Sequence, residues 1–84
     1  MAVRKQIYVW FFVGDPVFIY NPKIFNKYAI IEEKVMRVTM TNVGLSYIAS
    51  NGYIFQDSDI SESVFHCYEA AASKRKEVLN ENTH

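Results

Sequence analysis

The chain has 84 residues, half of them hydrophobic and 15% aromatic, with nine basic residues balancing nine acidic ones. That length holds one domain around one core, and so much apolar material excludes intrinsic disorder. A formal charge of zero leaves no global field to steer the chain to nucleic acid or an anionic membrane, so any such work falls to local patches.

The basic start Met1-Ala2-Val3-Arg4-Lys5 leads into the apolar run Ile7–Val13, which Gly14-Asp15-Pro16 ends. The run is too short and too aromatic for a signal-peptide core, and far too short to span a bilayer. The single cysteine, Cys67, forms no internal disulfide and suits a reducing compartment. The expected protein is therefore soluble and cytoplasmic, one domain over residues 1–84, with a sheet or barrel in 6–56, a helical segment in 60–80 and a frayed tail in 81–84.

Ile7-Tyr8-Val9-Trp10-Phe11-Phe12-Val13 is apolar at every position, which predicts a strand covered on both faces or one whose outer face meets a partner. Gly14-Asp15-Pro16 predicts a turn, because proline fixes φ and biases the residue before it away from helix. Val17 to Tyr20 resumes a strand, Asn21-Pro22-Lys23 turns again, and residues 23–27 form a loop. Tyr28 to Thr41 is the longest strand, with Lys34, Met36, Val38 and Met40 on one face and Val35, Arg37 and Thr39 on the other. Leu45–Ser50 and Tyr53–Gln56 form a hairpin across Asn51-Gly52, the dipeptide that suits a type I′ turn. Beyond Asp57, apolar residues recur at helical spacing from Ile60 to Leu79. One helix start is a capping box of Asp59 with Glu62. The other lies near Cys67, with Ser61 to Phe65 as a last short strand. In both, the helix packs Tyr68, Ala71 and Leu79 on the sheet. The fold class is α+β: a small antiparallel sheet or SH3-like barrel with one C-terminal helix.

Four motifs follow one order: Val13-Gly14-Asp15-Pro16-Val17, Ile30-Ile31-Glu32-Glu33-Lys34-Val35, Tyr47-Ile48-Ala49, and Val64-Phe65 ahead of Glu69-Ala70-Ala71. Over residues 13–72 this resembles the small SH3-like barrel proteins of bacteriophages and mobile elements. Glu33 stands where that pattern usually has glycine, and Cys67 where it usually has a threonine cap. The resemblance implies a binding module and no enzymatic activity.

The residues offer little chemistry. His66 and Cys67 are sequence neighbours, so their side chains diverge and make no dyad. Cys67 reads as a small buried hydrophobe and His66 as a surface residue. Asp57, Asp59 and Glu62 lack the spacing of a metal loop and read as a solvated, helix-capping turn. Glu32 and Glu33 point to opposite sides of a strand and read as charges that guard a sheet edge. No catalytic residue, cofactor or metal is expected.

What remains is aromatic surface. A barrel this small buries one row of the 7–13 run, leaving the row Tyr8, Trp10 and Phe12 for the C-terminal helix to cover or for a partner to bind. The expected interface is that row with Tyr20, Lys23, Phe25 and Lys27 nearby, and the expected occupant another protein or a second copy of the chain. Together with the resemblance, it suggests a phage-type accessory protein that inhibits a host protein, such as a host-defence component, by occlusion. The alternative from another class is a small nucleic-acid-binding barrel, using Arg4, Lys5, Lys74, Arg75 and Lys76 with aromatic residues as stacking platforms.

Overall fold

A computed structural model describes residues 9–81. It shows the small α+β, SH3-like architecture: a five-stranded antiparallel sheet curled into a half-barrel, and one C-terminal helix. The strands are β1 (Pro16–Ile19), β2 (Ile31–Thr41), β3 (Gly44–Ala49), β4 (Ile54–Gln56) and β5 (Val64–Phe65), in the order β4-β3-β2-β1-β5. A single 3₁₀ turn, Asp57–Asp59, follows β4, and helix α1 spans Tyr68–Glu81.

β2 is the spine of the sheet. Its first half pairs with β1, and its second half with β3. Between Val35, opposite Ala49, and Arg37, opposite Ile48, the register slips by one residue at Met36. This bulge overturns the even alternation expected of β2. Val35 and then Val38 and Met40 share the inward side with Ala49, Tyr47 and Leu45, while Arg37 and Thr39 lie outward. A bulge bends its strand and raises the local twist, and here it separates the half of the sheet built on β1 from the half built on β3. Glu32 and Glu33 pair with Phe18 and Val17 in this middle strand, so they guard no edge. Glu33 instead accepts a hydrogen bond from the Ser50 hydroxyl.

β1 has only four residues, yet both its faces are covered. Val17 and Ile19 enter the main core with Phe11, Val35, Leu45, Tyr47, Ala49, Phe55 and Val64. Phe18 and Tyr20 face the other way, into a second cluster with Phe65 and Ala71 that Ile30 and Val78 complete. The register makes this division: Ile19 lies opposite Val64 and Phe18 opposite Phe65, so the alternation of β1 is matched by that of β5. The helix therefore covers the outer face of β1 and β5. It does so with Ala71 and with Tyr68 edge-on to Phe18 at 6.4 Å, both expected from spacing, and with Val78, which lies outside the expected packing set.

The hairpin at Asn51-Gly52 forms, but not as a two-residue type I′ turn. Gly52 donates to the Ala49 carbonyl at 2.9 Å and Ala49 to the Tyr53 carbonyl at 2.8 Å, so three residues make the connection. Positive φ is confined to Gly52 at +89° and does not extend to Asn51, the pattern of a turn closed by a glycine bulge. Asn51 instead accepts the Tyr53 N–H through its side chain at 3.0 Å, an Asx turn.

The helix starts at the later of the two expected places. Ala71 donates to the Cys67 carbonyl at 3.4 Å, which makes Cys67 the cap residue, and the cysteine is exposed rather than buried. The Asp59–Glu62 pair does not cap α1; Asp59 serves instead in the capping box of the 3₁₀ turn. Asp59 accepts the Gln56 N–H at 2.9 Å and closes the 3₁₀ turn.

Candidate functional site

The expected strand over residues 7–13 does not form where it is described: Val9 to Val13 makes no ladder, and Ile7 and Tyr8 lie outside the described residues. One side chain anchors the segment in the core. Phe11 is 1% exposed and fills the mouth of the half-barrel. It stands edge-on to Tyr47 at 5.9 Å and to Phe55 at 5.8 Å, while the His66 ring stacks on it at 4.2 Å. His66 is exposed by residue class yet closes the aromatic stack from outside.

The neighbours of Phe11 point the other way. Trp10 is 52% exposed and Phe12 65%, with Val9 and Val13 exposed beside them. Their backbone is nonetheless fixed. The Trp10 N–H donates to the Tyr47 hydroxyl at 3.2 Å, and the Phe12 N–H to the Asp15 carboxylate at 2.8 Å. The turn that follows is fastened to β2: Gly14 N–H donates to the Val35 carbonyl at 2.7 Å and Val35 N–H to the Asp15 carbonyl at 2.9 Å. Gly14 has φ +94°, a conformation that a residue with a Cβ adopts only under strain. The two exposed aromatics thus sit on a backbone pinned at both ends.

The Tyr47 hydroxyl links this segment to the 3₁₀ turn after β4. Its hydroxyl accepts from Trp10 and donates to Asp57 at 3.2 Å, and the other Asp57 oxygen accepts the Leu45 N–H at 3.3 Å. Burial pushes the Tyr47 hydroxyl above its ordinary value of 10.0; the neighbouring Asp57 carboxylate adds to the rise, and the Trp10 N–H opposes it. Sequence reasoning singled out none of Phe11, His66 or Asp57 for the segment. Nothing in their spacing announces that residues from the start, middle and end of the chain converge on one mouth.

The other expected interface residues separate. Tyr20 is 1% exposed and gives its hydroxyl to the Lys27 carbonyl at 2.8 Å. It is a core residue and offers no surface, because the helix lies on the face that β1 turns outward. Phe25 leans on Tyr53 at 5.5 Å and packs against the main core, so it too is structural. Lys23 and Lys27 are exposed, with the Lys27 ammonium 5.3 Å from the centre of the Tyr28 ring.

The basic run on the helix disperses. Lys74 lies 3.9 Å from Glu62. Arg75 donates to the Tyr28 carbonyl at 3.0 Å and to the Tyr68 hydroxyl at 3.4 Å. Lys76 is exposed. Three successive helical residues cover most of a turn, so they make no common basic face. Arg4 and Lys5 lie outside the described residues. The acidic segment divides as well: Asp57 serves Tyr47 and Leu45, Asp59 serves Gln56, and Glu62 faces Lys74.

A groove of roughly 430 Å³ opens where the loop after β1 meets the helix, lined by Tyr20, Pro22, Val78, Lys23, Glu62 and Lys74 among others. Among the described residues, no helix is long and apolar enough to cross a membrane. No family model, curated protein or solved structure matches the chain.

Proposed function

We propose that the chain is a non-enzymatic protein-binding module that docks through Trp10 and Phe12. One observation carries this reading. Two large aromatic side chains flank the buried Phe11 and stand in solvent, on a backbone fixed by hydrogen bonds to Tyr47 and Asp15. Exposed aromatics in a group mark interaction sites, and tryptophan is foremost among residues that dominate binding energy. A fixed backbone lowers the ordering cost of binding. The helix, the internal competitor for these side chains, is occupied with Phe18 and Tyr20.

The resemblance to phage SH3-like barrels supports a role as an accessory protein that occludes a site on a host protein, in the cytoplasm of the host cell. The competing nucleic-acid reading has less support, since the Lys74-Arg75-Lys76 run faces several directions and Arg75 already donates to the Tyr28 carbonyl. Affinity capture from the native cell, run in parallel with wild-type chain and a Trp10→Ala/Phe12→Ala variant of unchanged fold, tests the proposal. The expected result is a partner retained by the wild type and lost by the variant. The same partner retained equally by both overturns it. Oligonucleotide binding that weakens steeply with salt would favour the competing reading.

A further inference from the structure

We infer that the groove between the loop after β1 and helix α1 is a second binding site, separate from the Trp10–Phe12 surface, and that it takes a short acidic-and-apolar stretch of a protein. Its lining is largely apolar, with Tyr20, Pro22 and Val78, and it holds two lysines, Lys23 from the loop and Lys74 from the helix, against one carboxylate, Glu62. A volume of roughly 430 Å³ lies within the range of sites that enclose small ligands or a few residues of a peptide. Apolar floor and cationic rim together fit an apolar side chain with a carboxylate beside it.

The wall facing Lys74 is built at a conformational cost. Ser61 has φ +70°, and among the described residues no other non-glycine has positive φ. The Ser61 N–H donates to the Val64 carbonyl at 2.8 Å, and the Ser63 carbonyl accepts the Tyr20 N–H at 2.9 Å. These bonds hold Glu62 and Ser63 at the lip of the groove. Strained residues persist where surrounding structure over-determines them, and they cluster at ligand clamps.

Glu62 already supplies a carboxylate to this site. It lies 3.9 Å from the Lys74 ammonium, with its own side chain 73% exposed. The Lys74 side chain is 29% exposed, but the pair is long and its acidic partner solvated, so it contributes little and an incoming carboxylate displaces Glu62 at small cost. Glu62 marks the chemistry that Lys74 accepts and competes for it. The same negative charge, with only two lysines in the groove, disfavours a nucleic-acid backbone, whose binding depends on neutralising many phosphates.

The test is a display library of random 12-residue peptides, panned on the wild-type protein. Counter-selection uses a Lys23→Gln/Lys74→Gln variant whose fold is verified by its methyl NMR spectrum. Enriched peptides are expected to pair Asp or Glu with a neighbouring apolar residue. Each single lysine substitution should weaken a chosen peptide about threefold to tenfold, the range for losing one charged hydrogen bond at a half-exposed site. Glu62→Gln should tighten the same peptide by about twofold to fivefold, as removal of a solvated competitor does. Trp10→Ala should leave its affinity unchanged, which keeps this site distinct from the aromatic one. The inference is overturned if no peptide is enriched, or if those enriched carry no acidic excess. It is equally overturned if they bind the double variant as well as the wild type, lose affinity with Trp10→Ala, or are displaced by a 12-mer oligothymidylate.

Discussion

β1 and the Val9–Val13 segment are both short, apolar and aromatic, yet the structure treats them oppositely. β1 is paired on both edges, by β2 and β5, and covered on both faces, by the main core and by the helix cluster. The Val9–Val13 segment lacks a ladder and reaches the core through Phe11, leaving Trp10 and Phe12 in solvent. Apolar composition marks a segment as able to be buried. Backbone pairing decides whether it is, because an unpaired strand buried on both faces would leave its own N–H and C=O groups unsatisfied.

That contrast can be broken by substitution. In β1, Ile19→Ala should cost about 4 kcal/mol, since the residue is fully enclosed and the sheet around it has no freedom to collapse. Urea denaturation measures it as a lower midpoint with little change in slope. In the other segment, Phe11→Ala should cost about 3 kcal/mol, and Phe12→Ala, one position on, should stay within about 0.5 kcal/mol. Equal losses at 11 and 12 would mean that the segment is packed as a whole and that the single-anchor description is wrong.

Tyr47→Phe keeps the ring against Phe11 and Phe55 but removes the hydroxyl between Trp10 and Asp57. It should cost about 1–2 kcal/mol, the range for a buried hydrogen-bonded hydroxyl whose partners lose a contact. The same hydroxyl predicts an alkaline limit. Burial raises its pKa above the ordinary 10.0, so above that pH the unfolded chain releases a proton that the folded chain still holds. Its contribution to stability is complete below pH 10.0 and declines as pH rises through the higher folded value. Thermal unfolding from pH 8 to 11 should show this decline, and Tyr47→Phe should flatten it. The smallest expected effect is that of Trp10→Ala on stability, within about 0.5 kcal/mol for an exposed side chain; circular dichroism melts should show it while partner capture is lost.

Local signals foretold the meander and the helix. Asn51-Gly52 placed the β3–β4 hairpin, and the apolar spacing beyond Cys67 placed α1, because turn chemistry and helical periodicity act over a few residues. The bulge at Met36 escaped notice, since no glycine marks it and its cause is the competing demands of β1 and β3 on one strand. The described part of the strand expected over 7–13, Val9 to Val13, makes no ladder, for the reason already given. Cys67 was assigned to the interior by residue type, but its place ahead of the first helical turn puts it in solvent. Of the candidate interface, Trp10 and Phe12 stand exposed, as the alternation of the 7–13 run predicts. Tyr20 and Phe25 were not separable from them, because only the β1–β5 register and the Tyr53 contact show that they face inward. The groove joins Lys23 to Lys74, residues far apart in the chain, and no local pattern links them.

The pairing of Phe18 with Phe65 also sets an order in time. β2, β3 and β4 are neighbours along the chain as well as in the sheet, so their contacts close short loops and form early. β1 emerges before them during synthesis, but the strand and helix that cover its second face are the last described residues to leave the ribosome. A chain that has emerged from the ribosome only as far as Ser63 should therefore leave Phe18 and Tyr20 uncovered, and the second cluster closes only when β5 and α1 have emerged.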